Sequence, residues 1–117
     1  MSNSEGNSMN NVLTDLGANP GALHIIVQSD EVRVLLTGEI DAGLAGEFTA
    51  AIETIRRESL PVTLDTRHVT FMDSFGVAFV SQIAMAGPGP TRVIHAPPTV
   101  KFLLEVTNTS ELVEVVE

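Results

Sequence analysis

The period of the apolar residues changes repeatedly along this chain, and that alternation constrains the fold more than any other feature. From Leu23, the short β-branched runs "LHIIVQ" and "VRVLLTG" flank "SDE" and predict a hairpin. In "GEIDAGLAGEFTAAIETIRRES" the spacing becomes helical. Leu44, Phe48, Ala51, Ile52 and Ile55 share one face there, with Glu47, Glu53, Arg56 and Arg57 mostly off it. "PVTLDT" predicts a third strand, and "SFGVAFVSQIAMA" a second helix stopped by "GPGP". "TRVIHA" predicts a fourth strand. "PPTVKFLLEVTN" predicts a third helix, with proline at its start and Asn108 placed for a left-handed C-cap. "ELVEVV" is a last strand or a short extension. The order β-β-α-β-α-β-α-β requires crossover connections. The fold class is therefore α/β: a central, mostly parallel sheet of four to five strands with helices packed on it.

With 117 residues the chain is long enough for one domain and a modest core. Residues 1–21 are rich in Ser, Asn and Gly and predict a flexible tail, with a short helical turn at "NVLTDLG". Residues 22–117 predict the folded domain. Only Glu5 and Asp15 of the 15 acidic residues lie in the tail, so the acidity belongs to the domain.

The net charge of −9 argues against nucleic acid, because phosphate binding needs clustered Lys and Arg. Six basic residues are present, and Arg56-Arg57 is the one adjacent pair. Anionic membrane surfaces are disfavoured for the same reason. The absence of cysteine excludes disulfides, thiolate catalysis and cysteine-ligated metals. No apolar run approaches the ~20 residues of a membrane helix. The N-terminus lacks a basic segment followed by a long apolar one, so it does not read as a signal peptide. A cytoplasmic protein is the expectation.

The stretch "VTFMDSFGVAFV" (69–80) interrupts an apolar run with Asp73 and Ser74. Either residue suits a helix N-cap, whose side-chain oxygen satisfies a free N–H of the first turn. A hydroxyl at that position is also exposed, in the positive field of the helix end, where an attached phosphate is stabilised. Phosphorylation there adds about −1.5 to −2 charges with little effect on the fold. Asp41 in "LTGEID" ends the second strand and suits the N-cap of the first helix. Parallel neighbouring strands carry their following loops to one edge, so Asp41 and Ser74 are expected together, as an acidic rim around a hydroxyl.

Other chemistries fit less well. "DSFG" is not the G-x-S-x-G elbow of a serine hydrolase. His24 and His95 fall in predicted strands and His68 in the loop after the third, which suits structural or surface roles. No metal-ligand spacing of His or carboxylates appears, and no glycine-rich phosphate loop. Neither a metal, a cofactor nor an enzymatic activity is expected.

The stretches "VRVLLTGEIDAGLAGEF", "VTLDTRHVTFMDSFGVAFV" and "PPTVKFLLEVTNTSELVEV" resemble the STAS domain, and within it the bacterial anti-sigma factor antagonists. Gly38-Glu39-Ile40-Asp41 and Phe71-Met72-Asp73-Ser74-Phe75-Gly76 occupy the places of the family's two motifs. The resemblance runs from about Leu23 to Val116 and implies a partner-switching protein. Its unphosphorylated form binds an anti-sigma factor that is also a serine kinase, and so frees a sigma factor for transcription. The kinase modifies the serine after the motif's aspartate, here Ser74, and a metal-dependent serine/threonine phosphatase reverses this. Asp41, Asp73, Ser74, Phe75 and Gly76 carry over as partner-binding positions.

Two departures stand out. Phe75 occupies a place where the family usually has Ser or Thr, so its ring either anchors the interface or turns into the core. The family often carries a further helix after the last strand; the sequence ends at Glu117 without one, leaving part of the usual packing to be exposed or covered by a partner. The alternative role is that of a STAS docking subunit in a larger assembly, such as a lipid-transport ABC system or a stressosome-like complex.

Overall fold

The computed structural model describes residues 21–117. The predicted tail, with its helical turn, lies outside the described residues apart from Gly21. Five strands, β1 (Ala22–Val27), β2 (Val32–Ile40), β3 (Val62–Met72), β4 (Thr91–Ile94) and β5 (Val113–Val116), form one sheet. Their order across the sheet is β1-β2-β3-β4-β5, the order of the chain. β1 is antiparallel to β2, and the other neighbours are parallel. The sheet is therefore mixed, though mostly parallel as expected. Helices α1 (Ala45–Glu58), α2 (Ser74–Ala86) and α3 (Pro98–Val106) connect the parallel strands.

Alternation along the strands separates two faces. Val32, Val34 and Leu36 of β2, with Val62 and Leu64 of β3 and Val93 of β4, join a single core with the buried faces of all three helices. Phe48 of α1 and Phe79 of α2 stack within it, ring centroids 4.2 Å apart. Burying a side chain of that size contributes about 2–3 kcal/mol. Leu44, Phe48, Ala51, Ile52 and Ile55 are all buried, as their helical spacing predicts. The other face carries His24, Arg33, Leu35, Asp65 and Arg92, which are partly or fully exposed.

Three boundaries differ from expectation. β2 runs on to Ile40, and β3 continues through "RHVTFM" to Met72, so His68 lies in a strand and not in a loop. β2 supplies the partner that holds this extension, pairing Thr37 with His68, Gly38 with Val69, Glu39 with Phe71 and Ile40 with Met72. Two register shifts interrupt the ladder, between Leu35 and Thr37 and between Gly38 and Glu39. Such shifts change the phase of alternation, which is why the consecutive Arg67 and His68 are both exposed within a strand. His95 lies past the end of β4, in the left-handed region with φ of 57°. Asn108 is also left-handed, as its predicted capping role requires, with φ of 61°.

β3 also outruns its other neighbour. β4 pairs with Thr63, Leu64 and Asp65, so the remainder of β3 extends past the end of β4 toward the carboxyl edge of the sheet.

Candidate functional site

Asp41 and Asp73 directly follow Ile40 and Met72, which face each other across parallel strands. The Asp73 N–H donates to the Ile40 carbonyl at 3.4 Å, tying the two strand ends together. The predicted meeting of Asp41 with the Asp73-Ser74 pair at one sheet edge is thus present. Each aspartate caps the turn that follows it. Asp41 Oδ1 accepts from the Gly43 N–H at 2.9 Å, starting a 3-10 turn over Ala42–Leu44 that leads into α1. Asp73 Oδ1 accepts from the N–H groups of Phe75 and Gly76 at 3.0 and 3.1 Å, starting α2.

Asp73, not Ser74, is therefore the cap, and this decides what the serine is free to do. Ser74 is the first residue of α2 and is exposed. Among the described residues its hydroxyl has no hydrogen-bond partner, since Asp73 satisfies the first-turn donors. Phe75 does not turn into the core: it is 56% exposed beside Ser74. Gly76 is buried, and a Cβ there would lie 2.6 Å from Met72 Cγ and 2.7 Å from the Ile40 carbonyl oxygen. Only a residue without a side chain lets α2 sit this low on the ends of β2 and β3. Close packing at Gly76 thus sets the height of the turn that carries Ser74.

Two aromatic residues of this edge are not evident from motif spacing. Phe71 is 50% exposed and Phe102 is 62% exposed. They line an apolar groove of about 450 Å³ with Thr70, Met72, Pro98, Thr99 and Leu103, between the overhanging end of β3 and α3. The signal for Phe102 lies in helical phase: Val100 and Leu104 are buried, which turns position 102 outward. Phe71 carries no comparable signal, because the register shifts reset the alternation before it.

The histidines stay apart from this edge. His24 is opposite Leu35 and His68 opposite Thr37, while His95 follows Ile94, whose partner on β3 is Asp65. Each lies several residues back from Ile40 and Met72, so no imidazole stands beside Ser74 as a triad would need. Among the described residues no three His, Asp or Glu side chains gather as a metal site. No helix of the described residues is long and apolar enough to cross a membrane.

Solved structures with this fold include an anti-sigma factor antagonist from Mycobacterium paratuberculosis. It has a TM-score of 0.72 and 18% identity over 85% of this chain and 87% of that one. The anti-sigma factor antagonist SpoIIAA in its unphosphorylated form gives 0.65 and 21% identity over 82% and 89%. The Bacillus cell fate determinant SpoIIAA in its phosphorylated form gives 0.64 and 20% identity over 82% and 92%. At these identities the likeness establishes the fold. A search of curated proteins finds no match to the sequence. The STAS domain family model matches residues 23–117, the whole of the described fold but for its first two residues, and the chain belongs to the STAS domain family.

Proposed function

We propose that this STAS domain is an anti-sigma factor antagonist, a non-catalytic cytoplasmic switch controlled at Ser74. In its unphosphorylated form it binds an anti-sigma factor of the serine-kinase type and so releases a sigma factor. Phosphorylation of Ser74 by that kinase ends the binding, and a serine/threonine phosphatase restores it. The observation that carries this reading is the division of labour at the start of α2. Asp73 takes the capping role, leaving Ser74 exposed with its hydroxyl uncommitted among the described residues. Two similar structures are of SpoIIAA in its unphosphorylated and phosphorylated forms, which supports a phosphate switch on this fold.

The electrostatics give the switch its direction. A phosphate on Ser74 gains up to ~1 kcal/mol from the helix end. Repulsion from the neighbouring Asp41 and Asp73 carboxylates, about 1 kcal/mol each at ~4 Å in water-like surroundings, exceeds this by about 1 kcal/mol. The free domain tolerates so small a net cost. Against a partner, the effective dielectric falls and the same repulsions grow severalfold, while the phosphate loses hydration. A loss of about 3–4 kcal/mol weakens binding several hundredfold, enough to release the partner. Phe75, exposed beside the hydroxyl, supplies an apolar anchor of the kind that dominates interface energies.

The test is incubation of wild type and Ser74→Ala with the cognate anti-sigma kinase and ATP, read by intact mass and complex formation. A single phosphate on wild type alone, with loss of the complex, is expected. A wild type that binds but stays unmodified would remove the switch and leave a constitutive antagonist. A wild type that neither binds nor is modified would favour the docking-subunit role instead.

A further inference from the structure

The apolar groove beside the switch lacks an occupant among the described residues, and the chain itself carries a segment suited to it. The groove lies between the unpaired end of β3 and α3, with Phe71 and Phe102 largely exposed on its two sides. No charged side chain lines it. Residues 1–20 precede the described fold, and their apolar residues are not scattered. Met9, Val12, Leu13 and Leu16 recur at i, i+3, i+4 and i+7, the spacing of one helical stripe and of helix-in-groove recognition.

The chain enters the fold at the right place. Gly21 packs so closely on the end of β2 that a Cβ there would overlap the Glu39 carbonyl oxygen. Glu39 is in turn paired with Phe71 of the groove. Gly21 is thus about two strand spacings, roughly 10 Å, from the groove wall. Leu16 is five residues upstream of Gly21, a reach of up to ~17 Å, so the stripe can seat without any change in the sheet. A tether this short holds a segment at millimolar effective concentration, where even weak apolar contacts are populated.

We infer that residues 9–16 dock as about two helical turns in the groove formed by Phe71, Met72, Pro98, Thr99, Phe102 and Leu103, covering the two exposed phenylalanines. The inference does not depend on phosphorylation or on any partner.

The absence of cysteine makes the test clean. In the full chain, Asn11→Cys carries one nitroxide spin label directed away from the four apolar residues. Paramagnetic loss of backbone amide signals is expected around Thr70, Phe71, Thr99, Phe102 and Leu103, and not around Thr49 and Gln82 between α1 and α2. The signals should return when Leu13→Asp and Leu16→Asp are added, substitutions that lie outside the described fold. They should also return with Phe102→Asp, at an exposed position. Loss that is absent, spread evenly over the domain, or retained in these variants would overturn the inference. So would loss at the groove seen only between a spin-labelled chain and a separate isotope-labelled chain, which would assign the groove to a second copy.

Discussion

Two glycines in first turns of helices, Gly46 in α1 and Gly76 in α2, give a paired test of how Ser74 is positioned. Replacing a helical glycine with alanine ordinarily stabilises by about 0.5–1 kcal/mol, because the unfolded chain has less freedom to lose. At Gly46 nothing lies within 4 Å of the added Cβ, so this gain should appear undiminished. At Gly76 the new Cβ would lie 2.6 Å from Met72 Cγ, 2.7 Å from the Ile40 carbonyl oxygen and 3.2 Å from Ile40 Cγ2. The methionine side chain can yield cheaply, but the carbonyl is backbone and is already held by the Asp73 N–H. Overpacking of this kind costs about 1–3 kcal/mol, which exceeds the propensity gain. The expected result is a net loss of about 1–2 kcal/mol for Gly76→Ala. Thermal unfolding followed by circular dichroism should then show a fall of roughly 5–10 °C for Gly76→Ala and a rise of a few degrees for Gly46→Ala. A Gly76→Ala domain as stable as its parent would refute the argument that close packing on the ends of β2 and β3 fixes the height of Ser74.

Removing the cap with Asp73→Ala should cost about 1–2 kcal/mol in urea unfolding, since two first-turn N–H groups lose their acceptor. Ser59 ends α1 with φ of 54°, so Ser59→Gly should relieve about 1 kcal/mol of left-handed strain and raise the urea midpoint. Glu31 carries a pH dependence: the Thr63 hydroxyl, donating at 2.8 Å, and then Arg33 hold its carboxyl below the ordinary range, against the opposing effect of burial. A carboxyl with a lowered pKa contributes stability above its ordinary value, and that contribution is lost as pH falls through the lowered one. Urea midpoints should therefore show the difference between wild type and Thr63→Val shrinking as pH falls below about 4. An unchanged difference at low pH would place the effect of Thr63 in packing and not in the carboxylate.

The sequence showed most clearly those parts of the fold that depend on local periodicity. The five inward residues from Leu44 to Ile55, the helix from Ser74 stopped by the Gly-Pro run, and the left-handed Asn108 follow from helical phase and backbone sterics. They needed no tertiary information. The extension of β3 was hidden because Arg67-His68 reads as polar punctuation, and only pairing with β2 makes a strand of it. The site was legible in part for the same reason. That Asp41 and Ser74 share an edge follows from parallel topology, whereas the choice of Asp73 over Ser74 as cap depends on side-chain geometry that both residue types allow. Phe75 could turn either way from sequence alone, and the exposure of Phe71 depends on register. Helical phase turns Phe102 outward, but its meeting with Phe71 in one groove depends on α3 lying beside a strand that outruns its neighbour.

Because the strands lie across the sheet in the order in which they occur in the chain, every strand pairs with the one synthesised just before or after it. No late segment has to insert between two strands already joined. The hairpin of β1 and β2 can form first, and each crossover unit then adds one strand to the growing edge, keeping loop-closure entropy low at each step. Folding can therefore proceed in step with synthesis. The edge bearing Asp41, Asp73 and Ser74 would be complete once α2 has docked, before β4 and β5 join the sheet.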